Sequence, residues 1–353
     1  MSRELIEALR AEAAFDATPL PEDLAALHVP FDDLLGEERT ERELRRAAGA
    51  SGRIALVGAM GAGKSSVLSY ALTPSEGFAP LPMSVAPESD ETVTDPGRFA
   101  QHVVRVISTW AAEVEMLSPE QRDELLRSVA EGRVMSARSK QTHAGLSLQL
   151  PWIVKGELAR DIKRELAPAV EVERSAVEYL DALRRLMRLI RTIELQPVLV
   201  IDDSDRWLRR GEPRPDIVGA FFGRIVRELA ELETGLAIAV HEHYLALDEY
   251  RDNTVGVINT RIDVPSLTDE VQLRRILDHR VQVVVGGDSS TEILDADGLA
   301  RLWRFYADEC GKSLRKTLQI AHTALSEAAR AEADHVGLAL IESSIAAWEP
   351  QET

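Results

Sequence analysis

Between positions 58 and 65 the chain reads Gly58-Ala59-Met60-Gly61-Ala62-Gly63-Lys64-Ser65, which fits the spacing G-x-x-x-x-G-K-[ST] at every defined position. Each residue type has a physical reason to be there. The glycines let the backbone turn tightly enough for its N–H groups to converge on an anion. Lys64 can reach the outer phosphates of a polyphosphate, and the Ser65 hydroxyl can ligate a divalent cation. A helix that starts at this point, with Ser66 in its first turn, adds its positive N-terminal end. The chain holds six lysines against thirty-five arginines, so a lysine at position 64 stands out from its general choice of cation.

A second constellation follows at Pro197-Val198-Leu199-Val200-Ile201-Asp202-Asp203-Ser204-Asp205-Arg206. An acid at the C-terminal end of a buried parallel strand lies where ligands bind in open α/β sheets. Asp202 is placed to hold Mg²⁺ together with Ser65, and Asp203 to orient or deprotonate an attacking water. The two segments together predict binding of MgATP and its hydrolysis by in-line attack on the γ-phosphate, with Lys64 neutralising charge.

Those residues need a sheet to hold them. Apolar runs at 54–57, 198–201 and 236–240 predict three buried strands, and 258–264 a fourth. The stretch 78–85 reads as a weak strand, interrupted by Pro80 and Pro82. Helices are expected at about 65–72, 99–116, 175–195 and 216–232, and almost throughout after Pro265, apart from a turn or small strand around 283–288. Residues 118–175 read as an insertion. Within it Leu146, Leu148 and Leu150 alternate with polar residues, and Trp152-Ile153-Val154 follows Pro151. That pattern predicts a hairpin or flap, either packed on the core or serving assembly. The expected organisation is an N-terminal helix and linker at 1–30, a nucleotide-binding core at 31–265 and a helical lid at 266–353.

At 353 residues and 45% hydrophobic content the chain can bury a large core. A formal net charge of -18 argues against a general electrostatic grip on nucleic acid or anionic membrane. The single cysteine, Cys310, excludes an intrachain disulfide framework and fits a reducing cytoplasm. No run approaches the roughly 18 apolar residues of a membrane span, and the N-terminus lacks a signal-peptide core, so a cytoplasmic protein is expected.

With these motifs the chain resembles the AAA+ P-loop ATPases, in the branch of origin-recognition-type initiators and STAND signalling ATPases. Its Asp-Asp-x-Asp-Arg segment is similar to that of KAP-type NTPases. The segment Phe31-Asp32-Asp33-Leu34-Leu35-Gly36-Glu37-Glu38 resembles the box that contacts adenine in this branch, although relatives carry Gly-Arg-Glu at its end. Asp203 stands where most members carry glutamate, which implies looser water positioning and slow turnover. The resemblance implies a γ-phosphate sensor at the end of strand 236–240, where His241 stands. It implies a nucleotide-contacting arginine in the lid motif Gly311-Lys312-Ser313-Leu314-Arg315, and there Arg315 is the candidate. It also implies an arginine finger acting in trans, for which Arg251 and Arg261 fit by position.

Three functional classes follow. The first is an ATP-driven switch or assembly factor for protein partners or its own oligomer, in a setting such as a bacterial stress or anti-phage module. The second is a nucleic-acid-stimulated loader, which would use the helical stripe Arg184, Arg185, Arg188 and Arg191 or the flap. That stripe also reads as a solvated face or a subunit contact. The third is a nucleotide-binding scaffold with negligible turnover.

Overall fold

The computed structural model describes residues 2–19, 21–36, 40–85, 88–113, 118, 120, 176–209, 211–286 and 293–348. Most of the expected insertion, including the 146–154 flap, lies outside the described residues, as do Glu37 and Glu38. Among the described residues five parallel strands form the central sheet: β1 (Arg53–Gly58), β2 (Phe78–Ser84), β3 (Gln196–Asp202), β4 (Gly235–His241) and β5 (Thr260–Asp263). Their order is β2-β3-β4-β1-β5. The three apolar runs become β1, β3 and β4 at the centre, where both faces are covered and continuous Val, Ile, Leu and Ala sequences fit. Among the described residues β2 is an edge strand, paired with β3 on one side, a place where Pro80 and Pro82 are tolerated.

Alternation along the strands divides the interior in two. Ala55, Val57, Leu199, Ile201 and Ile238 face a core shared with the helices α4 (Pro96–Glu113) and α5 (Ala176–Thr192) and the helical stretch 215–230. Ile54, Leu56, Val200 and Ala239 face the other way, toward α2 (Glu41–Gly49) and α3 (Lys64–Ala71). This second core does not stop at the sheet. Through Phe31, Leu34, Val264 and Leu267 it runs into the C-terminal helices α6 (Glu270–Val285), α7 (Ala296–Arg304), α8 (Leu314–Arg330) and α9 (Leu338–Ala347). In α8, Leu318, Ala321, Leu325 and Ala328 recur at helical spacing and are buried.

The N-terminal helix α1 (Ser2–Ala11) packs on α6 and α8. The buried guanidinium of Arg280 in α6 donates to the carbonyls of Ala14 (3.2 Å) and Asp16 (2.8 Å). His279 reaches the carbonyl of Ala26 at 2.8 Å. The described residues before Phe31 therefore form an arm strapped to the C-terminal helices.

One expectation is corrected here. Val283–Val285 close α6 and are not a turn or strand. The helix ends at Gly286, its C-cap in the left-handed conformation (φ 67°), and 287–288 lie outside the described residues. Among the described residues no helix is long and apolar enough to cross a membrane. The architecture is α/β: a parallel sheet between helices, its first strand running into the glycine-rich loop, followed by a group of C-terminal helices, here called the lid.

Candidate functional site

β1 ends at Gly58, beside His241 at the end of β4, and the chain then loops into α3. Two glycines of that loop carry positive φ, Gly61 at 76° and Gly63 at 102°. A side chain at either would be strained. Gly61 is also closely packed: a Cβ there would lie 2.3 Å from Ser313 Oγ and 2.8 Å from Arg315 Cβ. The first turn of α3 carries no acid, so its N-terminal amides present an uncompensated positive end to the loop.

A cavity of about 400 Å³ opens over this loop. Met60, Gly61, Gly63, Lys64, Ser65 and Ser66 line its floor. Asp202, Asp203 and Asp205 line one wall. Arg315 reaches it from the start of α8, where its amide donates to the Gly61 carbonyl at 3.2 Å. The expected phosphate loop, both acids and the lid arginine are therefore brought to one place. Gly58, Ala59 and Ala62 complete the loop from behind: Gly58 and Ala59 give their carbonyls to Lys64 Nζ, both at 2.9 Å, and the Ala62 amide bonds the Ala59 carbonyl.

The two acids differ in their surroundings. The Asp202 carboxylate accepts the Asp203 amide at 2.8 Å and pairs with the Ser65 hydroxyl. Burial pushes its pKa up, against the pull of Ser65 and Lys64. Asp203 sits in the left-handed region (φ 64°, ψ 22°). Its carboxylate accepts a hydrogen bond from the Ser84 hydroxyl at the end of β2. Ser84 has no motif to announce it; the β2–β3 register, Ser84 opposite Asp202, delivers it.

His241 is buried. It lies near Lys64 and Asp205 without lining the cavity. Its Nδ1 accepts the His243 amide at 3.2 Å, which leaves Nε2 to carry the proton of the neutral ring. Burial lowers its pKa, with Asp205 opposing and Lys64 and His243 reinforcing. Arg251 and Arg261 are not brought to the cavity. Both are exposed and held by acids of their own elements, Arg251 by Asp248 and Arg261 by Asp263 at 2.6 Å.

Leu24, Leu27 and Val29 of the arm and Ile276, Leu314 and Leu318 of the lid also line the cavity, with His28 and Arg280 beside them. Of the box at 31–38, Phe31 alone among its described residues lines the cavity. Asp32 caps α2 through the amides of Thr40 (2.9 Å) and Arg42 (3.3 Å). Beneath it His28 bridges Ser66 Oγ (2.9 Å) and the buried Glu41 carboxylate (2.8 Å), which also accepts the Phe31 amide at 2.9 Å. The arm's part in the cavity escapes sequence reading, since its Pro-punctuated stretch looks like a linker.

No family model and no curated protein matches the chain. Among solved structures it is similar to the crystal structure of Cdc6p from Pyrobaculum aerophilum, at 15% sequence identity and a TM-score of 0.45. That similarity covers 92% of this chain and 68% of the other.

Proposed function

We propose that this chain is an ATP-binding and ATP-hydrolysing switch of the AAA+ type that acts on protein partners or on further copies of itself. The observation that carries the reading is the convergence of Lys64, Ser65, Asp202, Asp203 and Arg315 on one cavity that apolar side chains of arm and lid also line. The phosphates would lie over the loop amides and Lys64, and the base between arm and lid.

Mg²⁺ fits the residues present. Ser65 and Asp202 offer paired oxygen donors at the cavity. Ser65 and Asp202 would hold the ion, which would supply charge neutralisation to the β- and γ-phosphates. Asp203, fixed by Ser84, would orient water toward the γ-phosphate and accept its proton. Lys64 and the amides of the loop would stabilise the charge that builds on the phosphate oxygens. Asp202, Asp203, Asp205 and Arg206 in sequence support a KAP-like version of this acidic segment. His241, behind Asp205, would act on the γ-phosphate only through its neighbours.

Arg315 gives the lid a contact that changes with the ligand, which is how nucleotide state becomes movement. Arg251 and Arg261, away from their own cavity, are the residues that would complete a neighbour's site. The acidic surface supports protein partners over nucleic acid. In the helical stripe Arg184 is tied to Asp181 at 2.7 Å and Arg191 reaches Ser51 at 3.5 Å, which fits a structural face. The test is phosphate release from MgATP by wild type and by Asp203→Asn. Turnover in wild type that falls about a hundredfold in the variant supports the reading. Equal rates would contradict a water-positioning role for Asp203.

A further inference from the structure

His28, Glu41 and Ser66 form a chain of hydrogen bonds that ends at the cavity. His28 Nδ1 lies 2.9 Å from Ser66 Oγ, and Nε2 lies 2.8 Å from Glu41 Oε1. His28 is 6% exposed and Glu41 1%, so water does not intervene. Three separate stretches meet here: the arm supplies the imidazole, α2 the carboxylate and the first turn of α3 the hydroxyl. His28 and Ser66 both line the cavity.

Donor and acceptor roles follow from the Glu41 end. Burial favours the neutral acid there, but the bonds from His28 and the Phe31 amide outweigh it, and the Asp32 amide adds a third at 3.3 Å. Glu41 is therefore a carboxylate and can only accept, so His28 Nε2 carries a proton. In the neutral ring Nδ1 is then an acceptor. The Ser66 hydroxyl gives its one proton to His28 and turns only lone pairs to the cavity. Lone pairs repel an anion. In the imidazolium Nδ1 donates as well, Ser66 accepts, and the hydroxyl proton is released to meet a ligand oxygen.

The charges around His28 decide between the two forms. Facing it are Glu41 of α2, Ser66 and Tyr70 of α3 and Phe31 of its own segment, with the Arg45 guanidinium over the Tyr70 ring at 5.3 Å. Lys64, Arg206, Arg280 and Arg315 line the same cavity and oppose a further positive charge. A polyphosphate neutralises those cations and adds negative charge beyond Ser66, while Glu41 keeps its own on the Nε2 side. Its arrival turns the balance toward the imidazolium.

We propose that His28 is a positioning residue for the nucleotide: held by Glu41, it sets the direction of the Ser66 hydroxyl, and it takes up one proton when the polyphosphate binds. The proposal rests on the nucleotide-site reading above and holds whichever phosphate meets Ser66. The liganded chain then carries one proton more than the free chain. Affinity is greatest at low pH and weakens as pH rises, by up to about tenfold per pH unit.

The experiment titrates the full chain with the magnesium complex of the non-hydrolysable β,γ-imido analogue of ATP in a calorimeter. Two buffers of different ionisation enthalpy at one pH give the number of protons taken up. A pH well above about 6 keeps the phosphates' own titration out of the count. Wild type, His28→Gln, Ser66→Ala and Lys64→Ala are compared, with thermal melting to establish folding. His279 of α6 bonds the Ala26 carbonyl close by, so the His28 variant makes the assignment. Wild type is expected to take up close to one proton per nucleotide and to lose affinity as pH rises. His28→Gln and Ser66→Ala are expected to bind with no uptake and a flat pH profile, and either variant that folds gives the readout. Weaker arm packing alone would lower affinity without changing the proton count. Binding by wild type without proton uptake, or uptake that survives in His28→Gln, overturns the proposal. Uptake that survives in Ser66→Ala also overturns it, since His28 would then respond to charge without directing the hydroxyl. Failure of wild type to bind brings down the site reading and the proposal with it. Binding that Lys64→Ala abolishes, with no proton taken up by wild type, leaves the site reading standing and removes only the role of His28.

Discussion

The amide of Arg315, in the first turn of α8, donates to the carbonyl of Gly61 at 3.2 Å, and the two residues are packed too closely to admit a side chain at Gly61. This contact joins the phosphate loop to the lid directly. It places the residue expected to sense nucleotide against the loop expected to hold it.

Gly61→Ala tests that junction. The new methyl meets Ser313 Oγ and Arg315 Cβ, and the positive φ adds strain of about 1–2 kcal/mol. The expected outcome is a folded but less stable protein whose melting temperature no longer rises with MgATP. An undiminished ligand-induced shift would show that the loop and lid do not need this fit.

The bond from Ser84 to Asp203 makes a kinetic prediction. Ser84→Ala frees the carboxylate from the orientation set by β2, so turnover should fall about tenfold while nucleotide affinity holds. Parallel loss of affinity would mean that Ser84 supports the loop rather than the water-positioning carboxylate.

Strands and the site were legible in the sequence to different depths. β1, the phosphate loop, β3 with its acids, and β4 follow from local patterns: a buried apolar run, then glycines or carboxylates at a strand end. Ser84 meets Asp203 across 119 positions and Lys64 meets Asp205 across 141, and nothing local signals such pairs. Asp205 was visible as a third acid, but its partner was not. The arm was misleading for a related reason: its ties to the lid run from Arg280 and His279 to backbone carbonyls, which any residue type supplies.

Arg280 therefore carries a prediction of its own. Burial pulls its pKa down to about 10, so it is charged at neutral pH and its two carbonyl bonds offset that burial. Arg280→Met leaves the carbonyls of Ala14 and Asp16 unpaired. Hydrogen exchange should speed up across residues 2–29, and nucleotide affinity should fall because residues of the arm line the cavity. Unchanged protection in the arm would show that α1 packing alone fixes it.

Glu41 links stability to pH. Burial alone would raise its pKa, but the bonds from His28 and the Phe31 amide outweigh burial and hold it below the usual 4.5. The folded chain therefore resists protonation that the unfolded chain accepts. The stabilisation is present above about pH 5 and is lost as pH falls through the folded value. Glu41→Gln should cost about 1–3 kcal/mol at neutral pH and flatten the fall in denaturant midpoint as pH drops below about 5. A variant that tracks wild type at every pH would contradict this.

The central claim is that the loop at 58–65 binds nucleoside triphosphate through Lys64. Calorimetric titration of wild type and Lys64→Ala with MgATP tests it most directly. The account predicts saturable binding at one site per chain in wild type and none measurable in the variant, with both proteins folded. Equal binding by the two, or none by wild type, would contradict it.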